Sequence, residues 1–303
     1  MLVEVMRTGL DMPLDQPGIF AGPFPSGDTP IYVDTAARLG HSSGFIGVIG
    51  ADDFGKCMLD RFQRDGVDPS GVQTLPGHTT GVAFVAYFSG GSRKFVFHWR
   101  HAAAGQLAPE HVQPGLFQDC RWLHLTGCNI AVSESAREAC FKALRLVPAG
   151  AKVSFDANLR PEILTAEQIR ELVQPAVRRA DVLLPSLTEA AMLTGKPSDD
   201  EGCRYWAAQG KTVVLKMGAE GCRIYQGGET ITVPGFKVDE VDPTGAGDSF
   251  CAGFSVAMLE GMDLRQAGRF ANAVGALAVT RLGPMEGAPT RQEVEAFLTS
   301  NLS

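Results

Sequence analysis

No stretch of the chain approaches the roughly 18 consecutive apolar residues of a membrane span, and the first residues lack the basic-then-apolar pattern of an export signal. The expectation is a globular chain in the cytoplasm. Basic charge is also short. The 27 Lys and Arg against 34 Asp and Glu give a net charge of −7 with no basic block, which argues against a nucleic-acid surface. The 7 cysteines, at positions 57, 120, 128, 140, 203, 222 and 251, nowhere form a C-x-x-C, so reduced core thiols are expected and not a zinc site or a disulfide framework. Internal repeats and low-complexity tracts are missing. No G-x-G-x-x-G turn follows the first full strand, which argues against a nicotinamide-type fold. The nearest thing to a P-loop, Gly50-Ala51-Asp52-Asp53-Phe54-Gly55-Lys56-Cys57, fails on its chemistry. Asp52 and Asp53 would place two negative charges inside a phosphate cradle, and Cys57 would replace the hydroxyl that meets Mg2+, a cation preferring oxygen.

What the sequence does have is alternation. With 303 residues, 45% hydrophobic and 20% charged, it fits one large α/β domain. Met1 to Met6 alternate as a strand that begins abruptly, expected to be a shortened first strand of the central sheet. Residues 8–25, rich in Pro and Gly, predict short extended pieces; a helix follows from Ser26 to Leu39, and a strand lies at 45–49. Residues 80–88 and 93–99, joined by Ser89-Gly90-Gly91-Ser92, predict a hairpin. From 122 onward strands (122–126, 152–156, 182–184, 212–217) alternate with helices (134–146, 166–178, 187–194, 201–209), which predicts a mostly parallel sheet with helices on both faces. Strands 221–225 and 229–233 and helices 248–260, 264–280 and 290–300 complete the chain. The Pro-rich segment and the hairpin, about residues 8–25 and 78–101, are expected to form a small β lid beside that sheet.

The stretch with the most chemistry is Asp242-Pro243-Thr244-Gly245-Ala246-Gly247-Asp248, which leads into an apolar helix expected to begin at about Asp248. Small residues before a helix let backbone N–H groups approach a ligand, and the helix N-terminus favours anions. A carboxylate beside an anion hole repels a phosphate but suits a base that takes a proton from an attacking hydroxyl, the pair that phosphoryl transfer asks for. An ordinary helix cap is the plainer reading of the same residues.

Ligands of such sheets lie beyond the carboxyl ends of the strands. Those ends carry Asp156, Asn158 and Arg160, whose amide and guanidinium suit hydroxyls and anions; Ser186 and Glu189, which also read as a capping box; and Lys216 with Gly218 and Gly221 in a tight turn. Arg100 follows the hairpin and could reach a ligand.

Together with Gly47-Val48-Ile49-Gly50-Ala51-Asp52-Asp53-Phe54-Gly55, these pieces resemble the PfkB family of carbohydrate kinases, of ribokinase-like fold, over Glu4 to Leu298. The resemblance implies ATP-dependent phosphorylation of a sugar hydroxyl, with Asp248 as base and Gly245, Ala246 and Gly247 as anion hole. It implies Mg2+ placed with help from Glu189, and ATP contacts from Ser186, Lys216, Gly218, Gly221, Thr244 and Asn272. Sugar contacts fall to Glu4, Ser26, Gly27, Arg100, Asn158 and Arg160. Ser186 and Ile31 stand where the family commonly has Asn. Asp242 and Thr244 are expected to help hold K+, as in some relatives, and a homodimer through the lid is expected. Residues 97–104 and 156–161 look like the corresponding pieces of fructokinases and 2-keto-3-deoxygluconate kinases, and residues 2–6 and 22–27 look most like the tagatose kinase branch. A sugar or nucleotide sensor without turnover is the alternative.

Overall fold

The computed structural model describes residues 1–158 and 165–301. The chain opens with β1 (Leu2–Arg7), β2 (Phe20–Ser26), α1 (Asp28–Arg38), β3 (Gly44–Gly50), α2 (Asp53–Asp65) and β4 (Asp68–Leu75), followed by a hairpin of β5 (Gly81–Tyr87) and β6 (Arg93–His98). Then come β7 (Trp122–Thr126), α3 (Gly127–Val132), α4 (Glu134–Leu146), β8 (Lys152–Asp156), α5 (Ala166–Arg179), β9 (Val182–Leu183), α6 (Glu189–Thr194), α7 (Asp199–Ala207) and β10 (Thr212–Lys216). The last part is β11 (Gly221–Gln226), β12 (Glu229–Pro234), α8 (Ala246–Leu259), α9 (Leu264–Ala278) and α10 (Arg291–Ser300).

The largest sheet has six strands in the order β12-β11-β10-β9-β8-β7. From β10 to β7 the pairing is parallel, and β11 and β12 add an antiparallel edge. Alternation along each strand sends neighbouring side chains into two different cores. Leu183 and Val213 join Phe155, Val173 and Trp206 on one face, whereas Val182, Leu184 and Val214 join Phe254 and Val274 on the other. On that second face α8 and α9 run close together, since a side chain at Gly253 would meet Val274 Cγ2 at 3.0 Å.

A separate four-stranded sheet, β2-β1-β5-β6, holds the hairpin, and β3 pairs with β4 in a two-stranded sheet. Here the first strand departs from expectation. β1 pairs in parallel with β5 and antiparallel with β2, so it belongs to the smaller sheet. Strand β4 and helix α3 were not expected: β4 is mostly polar and exposed, and α3 follows β7 without a loop.

The P-loop-like stretch is a helix cap. The Asp52 carboxylate accepts the Gly55 N–H (2.8 Å) and both the N–H and the hydroxyl of Thr80 (2.7 Å each), which fixes the start of α2 to the segment entering β5. Lys56 pairs with Asp60 on the surface. No helix among the described residues is long and apolar enough to cross a membrane.

Candidate active site

Helix α8 begins at Ala246, two residues before the expected start, because Gly245 caps it in the left-handed region (φ 82°). A Cβ on Gly245 would lie 2.4 Å from the Pro284 carbonyl oxygen, so glycine is required there by conformation and by space. The first-turn N–H groups of a helix have no carbonyl partner within it, and Thr244, Gly245, Gly247 and Asp248 at this turn line a cleft. Behind them the buried Asp242 shapes the loop. Its Oδ1 accepts the Thr244 N–H (2.9 Å) and the Tyr87 hydroxyl (2.8 Å), and its Oδ2 accepts the Gly283 N–H (2.9 Å). Ile31, in place of the family's common Asn, packs under the loop, with its Cδ1 3.3 Å from where a Gly245 Cβ would stand.

The cleft, about 1060 Å³ in volume, gathers side chains from three sources. The strand ends supply Asp156, Asn158, Ser186 and Lys216; the smaller sheet supplies Glu4, Ser26, Arg93, Phe95 and Phe97, with Trp99 just beyond it; and the starts of α1 and α6 supply Asp28 and Glu189. Lys216 Nζ donates to Asp156 Oδ2 at 2.5 Å and lies 3.5 Å from Cys251 Sγ. Burial opposes its charge, but Asp156 foremost, with Cys251 and Glu189, raises the ammonium's pKa above the ordinary lysine value. Glu189 is buried and accepts the Ser186 N–H at 2.8 Å. Ser186 is not the cap of α6, as expected from sequence; Thr188 holds that position, and Ser186 bridges to Lys216 in the sheet.

On the opposite wall Glu4 is buried and accepts the Ser26 hydroxyl at 2.6 Å. Asp28 joins three elements: its Oδ2 accepts the Thr126 hydroxyl (2.6 Å) and the Asn158 amide (3.1 Å), and its Oδ1 accepts the Thr29 N–H (2.7 Å). Deeper in, His124 stacks on Tyr32 with ring centroids 3.9 Å apart, and its Nδ1 lies 2.7 Å from Ser154 Oγ. Burial pushes the His124 imidazole down to about 3, so it is neutral near pH 7.

Of the residues expected from sequence, Glu4, Ser26, Gly27, Asn158, Ser186, Glu189, Lys216, Thr244, Gly245, Gly247 and Asp248 line this one cleft. Others, Asp242 and Ala246 among them, lie apart from its lining. Asn272 is buried in α9, where its amide donates to the Val233 (3.1 Å) and Pro234 (3.0 Å) carbonyls and ties that helix to β12. Gly218 and Gly221 shape the turn after β10 with φ 58° and 98°. Arg100 is exposed outside the cleft, and the hairpin presents Arg93 instead, its Nη1 3.5 Å from Thr244 Oγ1. Arg160 lies outside the described residues. Asp28 and Arg93 were not picked out by the sequence reading. An acid after Gly27 looks like any charge at a helix start, although the period-two series Arg93, Phe95, Phe97, Trp99 does mark one face of a strand.

Residues 32–291 match the profile described as pfkB family carbohydrate kinase. The chain is 32% identical over 314 residues to a probable fructokinase-4 from Arabidopsis thaliana, covering 99% of this chain and 95% of that one. It is 29% identical over 269 residues to the 2-dehydro-3-deoxygluconokinase of Bacillus subtilis (strain 168), covering 87% and 83%. Among solved structures, a candidate ribokinase II from E. coli in complex with ATP and Mg2+ superposes with a TM-score of 0.93 at 38% identity, covering 99% and 96%. Fructokinase from Vibrio cholerae O395, with fructose, ADP and calcium bound, gives 0.85 at 29% identity, covering 98% and 96%.

Proposed function

The chain belongs to the pfkB family of carbohydrate kinases, and from that premise we propose that it transfers the γ-phosphoryl group of ATP to a hydroxyl of a ketose, such as tagatose or fructose, or of a keto-deoxy sugar acid. The observation that carries this reading is the meeting of Asp248, the open first turn of α8 and the Lys216 ammonium in one cleft with a wall of sugar-suited polar groups. Asp248 takes the proton of the attacking hydroxyl, so that the oxygen reaches phosphorus as an alkoxide-like nucleophile. The N–H groups of Gly245, Ala246 and Gly247 face the transferred group, where negative charge grows, and the helix N-terminus adds to their field. Lys216 sits beside that turn and offsets charge on the phosphates, held in place by Asp156.

On the acceptor side, Glu4, Asp28 and Asn158 are placed to receive and donate hydrogen bonds to sugar hydroxyls, and the Phe95, Phe97 and Trp99 rings offer an apolar face to the carbon skeleton. Arg93 suits an acidic group on the sugar or an oxygen of the phosphate. Mg2+ fits the donor set. No cluster of three or more His, Cys, Asp and Glu exists among the described residues, and an ion held mostly by phosphates and water needs little more than one carboxylate, Glu189, facing the cleft. Bound there, it would neutralise phosphate charge as the bond to the leaving group breaks.

K+ would rest on oxygens of Asp242 and Thr244, since Asp242 Oδ2 accepts a single protein donor and keeps a lone pair for a cation. Two chains would associate through the outer face of the four-stranded sheet, where Phe20 (36%) and Val96 (38%) are exposed. Sedimentation of the purified chain as a monomer would remove that part.

The deciding experiment is ADP release with Mg-ATP across tagatose, fructose, 2-keto-3-deoxygluconate, ribose and adenosine, with a no-sugar control. A sugar-dependent rate with one clear winner is expected. ATP binding by folded protein without ADP release on any sugar would replace the kinase with a sensor.

A further inference from the structure

The tip of the hairpin touches the loop that carries the anion hole. Tyr87, the last residue of β5, places its hydroxyl 2.8 Å from Asp242 Oδ1 and 3.0 Å from Thr244 Oγ1. Arg93, its cross-strand partner at the start of β6, reaches Thr244 Oγ1 at 3.5 Å. Thr244 directly precedes Gly245, whose conformation sets where the first-turn N–H groups of α8 point. The same hairpin carries Phe95, Phe97 and Trp99 along the acceptor side of the cleft. One phenol therefore joins the wall that meets the sugar to the loop that meets the phosphate.

We infer that Tyr87 is a positioning residue that couples the hairpin to the anion hole, so that the phosphate-binding turn is held in its working shape when the sugar wall is in place. The inference rests on the kinase reading for its consequence, though not for its geometry. The Tyr87 hydroxyl donates to a carboxylate that also holds the Thr244 and Gly283 N–H groups, so losing it loosens a shared acceptor. A hairpin uncoupled from the loop admits water to the phosphate while the sugar is poorly placed, and part of the ATP is then hydrolysed.

The test compares the full chain with Tyr87→Phe, which keeps the ring, and with Thr244→Val, which removes the second partner. Amide hydrogen exchange is followed in peptides covering residues 81–98 and 242–249. Both segments should exchange about tenfold faster in Tyr87→Phe, the size expected for losing one hydrogen bond to a charged group. In turnover with the preferred sugar, kcat should fall about tenfold with KM for ATP within about twofold, and the fraction of ATP hydrolysed without phosphorylating sugar should rise. Thr244→Val should shift both readouts in the same direction. Faster exchange in the hairpin alone, or an unchanged kcat and unchanged hydrolysed fraction in Tyr87→Phe, overturns the inference. If the unsubstituted chain turns over no sugar, the kinase reading fails separately, and joint or independent exchange of the two segments still decides the coupling.

Discussion

Lys216 and Asp156 form a buried ion pair, Nζ to Oδ2 at 2.5 Å, beside the first turn of α8. An ammonium next to the positive end of a helix is unfavourable by itself. The carboxylate compensates for it in the free protein, and a phosphate would do so in the complex. Removing either partner leaves a buried charge, which costs about 3–5 kcal/mol. Lys216→Met and Asp156→Asn should each lower stability by roughly that amount in urea unfolding, with the double variant losing clearly less than the sum. Lys216→Met should also lower kcat/KM for ATP by about tenfold or more, as expected when a charge-assisted contact to phosphate is lost.

Asp248→Asn separates the proposed base from the binding site. The amide keeps the shape of the side chain but cannot take a proton, so kcat should drop by about 10²–10⁴-fold. ATP affinity, measured by calorimetry, should stay within a factor of about three, because the neighbouring N–H groups that face the phosphate are unchanged. Near-normal turnover in this variant would move the base elsewhere.

The neutral His124 makes stability depend on pH. Its folded-state value, about 3, is depressed below the ordinary 6.5, so the unfolded chain takes up a proton between these values and the folded chain does not. The contribution is therefore fully present above about pH 6.5 and is lost as the pH falls toward 3. The full effect of such a shift is about 1.4 kcal/mol per pH unit, and less is expected here because His124 lines the cleft and is partly screened. Unfolding midpoints measured from pH 7 to 4 should fall less steeply in His124→Gln than in the unsubstituted chain.

Much of this architecture was legible because the relevant signals are local. Strands such as 212–216 read as short β-branched runs bounded by polar turns, and the glycines at 245 and 247 mark a close approach in any fold. The misses are of another kind. The pairing of β1 with β5 is decided by register across 75 or more intervening residues, and alternation in a single strand carries no information about its neighbour. Arg93 was overlooked in favour of Arg100 because which hairpin arginine enters the cleft depends on the face that β6 turns inward. Asp28 looked like a charge suited to a helix dipole, and its bonds to Thr126 and Asn158 exist because the sheet brings positions 98 and 130 residues apart to one point.

Gly245→Ala asks how tightly the proposed anion hole is built. At φ 82° any residue with a Cβ pays for the left-handed conformation, about 1–2 kcal/mol. Gly227, in the β11–β12 turn, has φ 58° and nothing within 4 Å of an added Cβ, so Gly227→Ala measures that conformational cost alone. At Gly245 the added carbon would also stand 2.4 Å from the backbone oxygen of Pro284, and a carbonyl in a packed loop cannot swing away as a side chain can. Gly245→Ala should therefore lose about 1–3 kcal/mol more than Gly227→Ala, the range found for overpacking. The loop that yields is the one that aims the N–H groups of α8, so kcat should fall by about 10²-fold or more, while Gly227→Ala stays close to full activity. Equal losses of stability and activity in the two variants would mean that the contact between Gly245 and Pro284 sets neither.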